Sequence, residues 1–230
     1  MGKGKNNTGS LAATIVTAVI AAAAIAAVVV MLVLVTGKKP QESAGSSSPT
    51  PQVSQELMDE CSAAAFELVQ NNYTVLKLFV IEGLPYKTVY GNRSEDGYYT
   101  VDDSEYKSYS QIEELVKSVY VEREASRVLL SYPINTESGT KNVQIYKQHK
   151  DPVDGSECLG IIEEFAPDKS YSRDWSKCVI KVSPKSEDLC VLTVITGGYS
   201  ESEAEAHPEA VMTTNMVKKD GRWLLSEMLL

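Results

Sequence analysis

Residues 11 to 36 (LAATIVTAVIAAAAIAAVVVMLVLVT) form an uncharged run of 26 residues, while all 31 acids lie beyond position 40. Spanning the roughly 30 Å hydrocarbon core takes about 20 residues at about 1.5 Å each, whereas the apolar region of a signal peptide is usually about 7–15 residues long. The length predicts a transmembrane helix over 11–36. A signal cleaved near Ser43 to Gly45 is the competing reading.

Lys3 and Lys5 on one side face Lys38 and Lys39 on the other, so the basic-residue rule nearly ties. Cys61, Cys158, Cys178 and Cys190 all follow the run. An even number of cysteines suits disulfides in an oxidising compartment, with free buried thiols as the alternative. The orientation expected is a cytoplasmic tail over 1–10, with the rest of the chain outside the cytoplasmic membrane. Residues 37–53 (GKKPQESAGSSSPTPQV) are Gly-, Ser- and Pro-rich and offer little to bury. They read as a flexible linker of roughly 20–25 Å reach.

Beyond the run and the four flanking lysines, 18 bases stand against 31 acids, a net charge of −13. Such a segment is repelled by nucleic acid and by anionic lipid, so neither is an expected partner.

Residues 54–230 are expected to form one α+β domain, with two lobes over about 54–133 and 141–230 as a possible subdivision. Cys61, Ala65, Leu68, Val75, Phe79 and Val80 keep helical spacing. YKTVYGNRSEDGYYTV carries a hairpin signature around N-R-S-E-D-G. Ser110 with Glu113 reads as a capping box for a helix carrying Ile112, Leu115, Val116 and Val119. A short helix with Ala125, Val128 and Leu129 on one face then ends by Pro133. Period-two patterns predict strands near 141–146, 160–165, 178–183, 189–196, 211–218 and 222–228, an antiparallel meander.

No catalytic motif stands out. The chain lacks a G-x-S-x-G elbow, a phosphate-cradling glycine loop and an H-E-x-x-H helix. His149 and His207 sit in polar surroundings and are expected to be solvated, and the cysteines lack metal-site or redox spacing. Neither an enzyme activity, a cofactor nor a metal is expected. Asn72 and Asn92 begin N-x-S/T triplets, which carry little weight alone. The acidic run 201–210 reads as an exposed loop.

The segment 86–120 holds seven of the twelve tyrosines. Within YYTVDDSEY, the acids Asp102, Asp103 and Glu105 stand among Tyr98, Tyr99 and Tyr106. Tyrosine buries a large ring while keeping a polar tip, which favours interfaces. These six residues are the expected partner-binding surface; rings packing a half-buried hairpin are the plainer alternative.

The series G-Y-Y-T-V-D, Y-S-Q-I-E-E-L-V-K-S-V-Y and V-E-R-E-A-S-R-V-L, over residues 56 to 132, resembles the IseA-type inhibitors of bacterial cell-wall DL-endopeptidases. The resemblance implies a two-lobed secreted protein that plugs the cleft of an NlpC/P60-type peptidase with acidic residues. The closing D-G-R-W-L-L resembles the last strand of ketosteroid-isomerase-like or cystatin-like cone domains, which implies binding of a small apolar ligand. A structural envelope subunit is the third expectation.

Pairing Ser183 with Leu189 would place Cys190 opposite Val182 and Cys178 opposite Val194, which favours the disulfides Cys158–Cys178 and Cys61–Cys190. Protease added to intact spheroplasts should digest the part beyond residue 36. A C-terminal tag that survives in intact spheroplasts and is cut only after lysis would reverse the orientation.

Overall fold

The computed structural model describes residues 54–86, 88, 93–103, 105–136 and 139–230. The expected tail, transmembrane helix and linker lie outside them. Among the described residues no helix is long and apolar enough to cross a membrane.

Helix α1 (Gln55–Leu76) starts where the Ser54 hydroxyl accepts the Leu57 N–H at 3.2 Å. It buries Cys61, Ala65, Leu68, Val69, Asn72, Val75 and Leu76, one stripe at helical spacing. It then widens into a π-turn over Lys77–Ile81, closed by the Glu82 and Gly83 N–H groups on the Lys77 carbonyl. Strand β1 (Tyr98–Thr100) follows, then helices α2 (Tyr109–Val119) and α3 (Glu122–Leu130). The cap of α2 is Ser108 rather than Ser110: Ser108 is extended, and the Gln111 side chain accepts its N–H at 3.0 Å.

Strands β2 (Tyr132–Thr136) and β3 (Gly139–Val143) form a hairpin, and β4 (Tyr146–Lys150) and β5 (Glu157–Ile162) join β1 in a sheet of order β1-β5-β4. Strands β6 (Val179–Ser186), β7 (Leu189–Ile195), β8 (Val211–Lys219) and β9 (Arg222–Leu225) make a four-stranded antiparallel meander. Between β7 and β8, the acidic run folds into a one-turn helix α4 (Glu201–Ala204) and a 3-10 turn, Pro208–Ala210. The α+β class and the antiparallel sheets agree with expectation.

One face of the meander lies on α1. In-register partners put Cys190 beside Met216, Leu192 beside Thr214, and Met216 beside Leu225, and all of these are buried. The same continuous core takes in Tyr146, Leu159 and Ile161 of the other sheet, so both sheets share it. Lys219 pairs with Arg222 across Asp220 and Gly221, whose φ values of 50° and 77° fit the two-residue turn that matches strand twist.

The β6–β7 register departs from expectation. Ser186, not Ser183, pairs with Leu189, and a bulge between Pro184 and Ser186 sets Cys190 opposite Pro184 and Val194 opposite Ile180. Proline has no N–H to give a ladder, which favours irregular pairing there.

The cysteines of the expected disulfides stand as free thiols. Cys61 and Cys190 are fully buried and their sulfurs lie within hydrogen-bonding reach of each other. Burial pushes the Cys61 thiol up to about 12. Cys158 has no such neighbour in Cys178: its sulfur faces Thr100 and the His149 carbonyl in the three-stranded sheet, while Cys178 enters the meander.

Trp223 is 7% exposed and donates its indole N–H to Glu60 at 3.0 Å, joining β9 to α1. Lys218 and then Trp223 hold the Glu60 carboxyl below its ordinary range. Truncation after Lys219 should therefore destabilise the domain by several kcal/mol, since losing one buried Trp side chain alone costs about 3–5 kcal/mol. Chemical denaturation checks this, and an unchanged midpoint would refute it.

Candidate binding surface

Strand β1 is three residues long. It pairs with β5 on one side through Tyr98–Ile162, Tyr99–Ile161 and Thr100–Gly160. Single bridges, Arg93–Tyr99 and Tyr86–Val101, support it further. Because strand side chains alternate, Tyr98 and Tyr99 point to opposite faces of the sheet.

That alternation divides the six expected partner-binding residues. Tyr99 is half-buried; its ring stacks on Tyr86 with centroids 5.2 Å apart and an interplanar angle of 27°. Its hydroxyl donates to Glu163 at 3.2 Å, and Glu163 also pairs with Arg93 at 2.6 Å. Burial, reinforced by Glu163, raises the Tyr99 phenol above its ordinary value. Asp102 is exposed and its N–H is fixed on the Pro85 carbonyl at 2.8 Å.

Asp103 is half-buried and turns the chain, accepting the Glu105 and Tyr106 N–H groups at 2.7 and 3.0 Å. Glu105 is exposed, and Tyr106 is half-buried against the core with its phenol raised by burial and by Glu105.

Tyr98 leaves this surface. It is 6% exposed, donates its hydroxyl to the Gln144 carbonyl at 2.8 Å, and lies under the Lys147 ammonium, 4.1 Å from its ring centroid. Lys147 in turn pairs with Asp96. The residues that sequence reasoning left out of the site are Tyr86, Arg93 and Glu163. Tyr86 belongs to the tyrosine-rich segment, but Glu163 is 64 positions from Tyr99, a pairing only the β1–β5 register reveals.

The opposite face of the same sheet holds a second polar group. His149, expected to be solvated, is 8% exposed, with Asp151 and Thr100 buried beside it. It fits because Gly160 has no side chain: a Cβ there would lie 2.7 Å from the His149 ring. His207 is the more open of the two, stacked on Tyr199 with centroids 4.3 Å apart. Among the described residues no group of three His, Cys, Asp or Glu side chains is placed to hold a metal ion. Asn72 is fully buried and both ends of its amide are bonded inside the fold, so its N-x-T triplet offers no accessible acceptor.

A groove of about 520 Å³ opens between α2, α3 and the β8–β9 turn. Glu113, Glu122 and Asp220 on its rim face Lys117, Lys219 and Arg222, so it selects no sign of charge. No protein-family model matches the chain, and no curated protein is significantly similar to it.

Replacing Gly160 by Ala should cost about 1–3 kcal/mol, the usual range for overpacking a filled interior. Thermal unfolding of G160A beside wild type measures it. A melting temperature within error of wild type would mean that His149 does not lie on the Gly160 backbone.

Proposed function

We propose that this chain is a membrane-anchored binding module whose folded domain works outside the cytoplasmic membrane and holds a protein partner, of the cell-wall endopeptidase class, through the β1 surface. The observation that carries the reading is the Tyr86–Tyr99 stack flanked by Asp102 and Glu163. Two rings already in contact lose little freedom on docking, and their apolar faces supply desolvated anchors. Tyr86 is 39% exposed, an open aromatic ring on this surface.

The acids do a different job. Asp102, Asp103 and Glu105 lie on a domain of strongly negative charge, so they favour a basic or polar cleft and speed encounter more than they deepen affinity. The anchor supports the reading by holding the domain within linker reach of the wall-facing membrane surface. The resemblance to the DL-endopeptidase inhibitors supports the choice of partner class, since it runs through G-Y-Y-T-V-D, the strand that presents Tyr99 and Asp102.

The test uses the full chain in nanodiscs and a purified NlpC/P60-type endopeptidase. Association should be measurable and should slow with rising salt. Changing Asp102, Asp103 and Glu105 together to Asn, Asn and Gln keeps the Asp103 turn acceptor while removing charge. This triple variant should associate several-fold more slowly and with a flatter salt dependence, whereas Tyr99→Ala should cost about 2 kcal/mol, mainly in dissociation. No binding to the peptidase, or an unchanged rate and salt dependence in the triple variant, would overturn the proposal.

A further inference from the structure

Directly behind the Tyr99 surface, on the reverse face of β1, is a buried group that the binding reading does not use. Thr100 of β1 donates its hydroxyl to Asp151 Oδ2 at 2.9 Å. Asp151 closes the β4–β5 turn: its other oxygen accepts the Val153 N–H at 2.8 Å, and its own N–H and carbonyl bond Ser156 and Gly155. The His149 Nε2 lies 3.5 Å from the same Thr100 oxygen, and the Cys158 sulfur lies 3.8 Å from it. His149 Nδ1 is buried with no partner at all.

The hydrogen-bond roles fix a tautomer. The Thr100 proton is committed to Asp151, so its oxygen accepts, and the imidazole N–H belongs on Nε2. Nδ1 then carries only a lone pair. A second proton would sit on Nδ1, buried and without an acceptor, above the Gly160 backbone.

We propose that His149 is an acid-release latch behind β1: neutral, it packs the Asp151–Ser156 turn against Thr100, and protonated, it frees β1 and the Tyr86–Tyr99 surface that β1 presents. The consequence for binding rests on the reading above; the latch itself does not.

The charged and titratable groups around the ring come from each element packed on it. Lys147 of β4 repels a proton, Asp151 of the turn attracts one, and the Cys158 thiol of β5 is kept neutral by burial. Asp154 of the turn bears on Asp151 and Cys158 rather than on the ring. Tyr98 and Thr100 are the uncharged groups from β1. Burial, with Lys147 adding to it and Asp151 opposing, leaves the imidazole below its ordinary value.

The opened chain binds a proton near pH ~6.5 and the closed one only at lower pH, so closure is fully favoured above ~6.5 and is lost as pH falls through the closed-state value. The Asp151 carboxyl is also lowered, first by the Val153 N–H. Its own contribution is fully present above the ordinary carboxylate range and is lost as pH falls through its lowered value.

The experiment compares the full chain in detergent micelles, wild type and His149→Phe, by ¹³C-histidine NMR titration and amide exchange. His149 should titrate with a midpoint below the ordinary histidine value of about 6.5. The Val101 amide, bonded to the Leu159 carbonyl at 2.9 Å, is the reporter on β1. After correction for intrinsic rates, it should exchange about ten-fold faster at pH ~5 than at pH ~7.5 in wild type, and by a ratio near one in H149F. A midpoint at or above about 6.5, or an H149F protein that keeps the wild-type pH dependence, would overturn the latch. Should H149F fail to fold, the wild-type titration decides alone. Neither readout needs a partner, so failure of the latch and failure of the binding reading are told apart.

Discussion

The side-chain amide of Asn72 does for this fold what a strand partner does for an edge. Fully buried on α1, it gives its N–H to the Leu229 carbonyl and takes the Leu229 N–H, both at 3.1 Å. Its oxygen also accepts the Tyr120 hydroxyl at 2.8 Å. One residue thus joins α1, the α2–α3 junction and the segment after β9. An unmade bond in this position would leave a buried polar group at a cost of about 1–3 kcal/mol, so the three elements are held to one arrangement. Burial pushes the Tyr120 phenol far above its ordinary value, which keeps it a donor. Beside it, burial opposes charge on Glu124, yet Arg127 and the Met228 N–H hold that carboxyl below its ordinary range. The parallel bridge between Tyr120 and Leu225, with Val121 N–H on the Leu225 carbonyl, completes the seam.

What α1 fixes at that end is passed to the candidate surface at the other. Its π-turn leads into Leu84, where Tyr146 of β4 donates its hydroxyl to the Leu78 carbonyl at 2.7 Å and accepts the Leu84 N–H at 3.0 Å. The Tyr146 ring meets Phe79 edge-on, with centroids 5.3 Å apart. Two residues later Tyr86 stacks on Tyr99. The surface therefore rests on the core through a short, fully bonded path, with Tyr99 in front of the sheet and His149 behind it.

Much of this was legible from local pattern. Period-two runs located β6, β7, β8 and β9, the D-G pair gave the last turn, and helical spacing gave α1, α2 and α3, because one buried face writes its period into the sequence. Less legible were features decided by distant partners. The run near 141–146 spans the end of one strand and the start of another, and β2 carries a proline that hid it. The β6–β7 register turned on a bulge, which leaves no period. Tyr98 and Tyr99 looked alike in a string of aromatics, and only pairing with β5 shows that Tyr99 shares the core-side face with Ile161 while Tyr98 lies on the reverse face with Thr100. His149 reads as polar in sequence and is buried because Gly160 lies across from its neighbour Lys147, a vacancy no local window contains.

Asn72 welds the segment after β9 into the core. Native-state exchange of the Leu229 amide in the full chain tests it most directly. The Leu229 amide should be as protected as core amides such as Leu192, exchanging only through global opening. Exchange of Leu229 at the rate of an unstructured segment, while Leu192 stays protected, would contradict it.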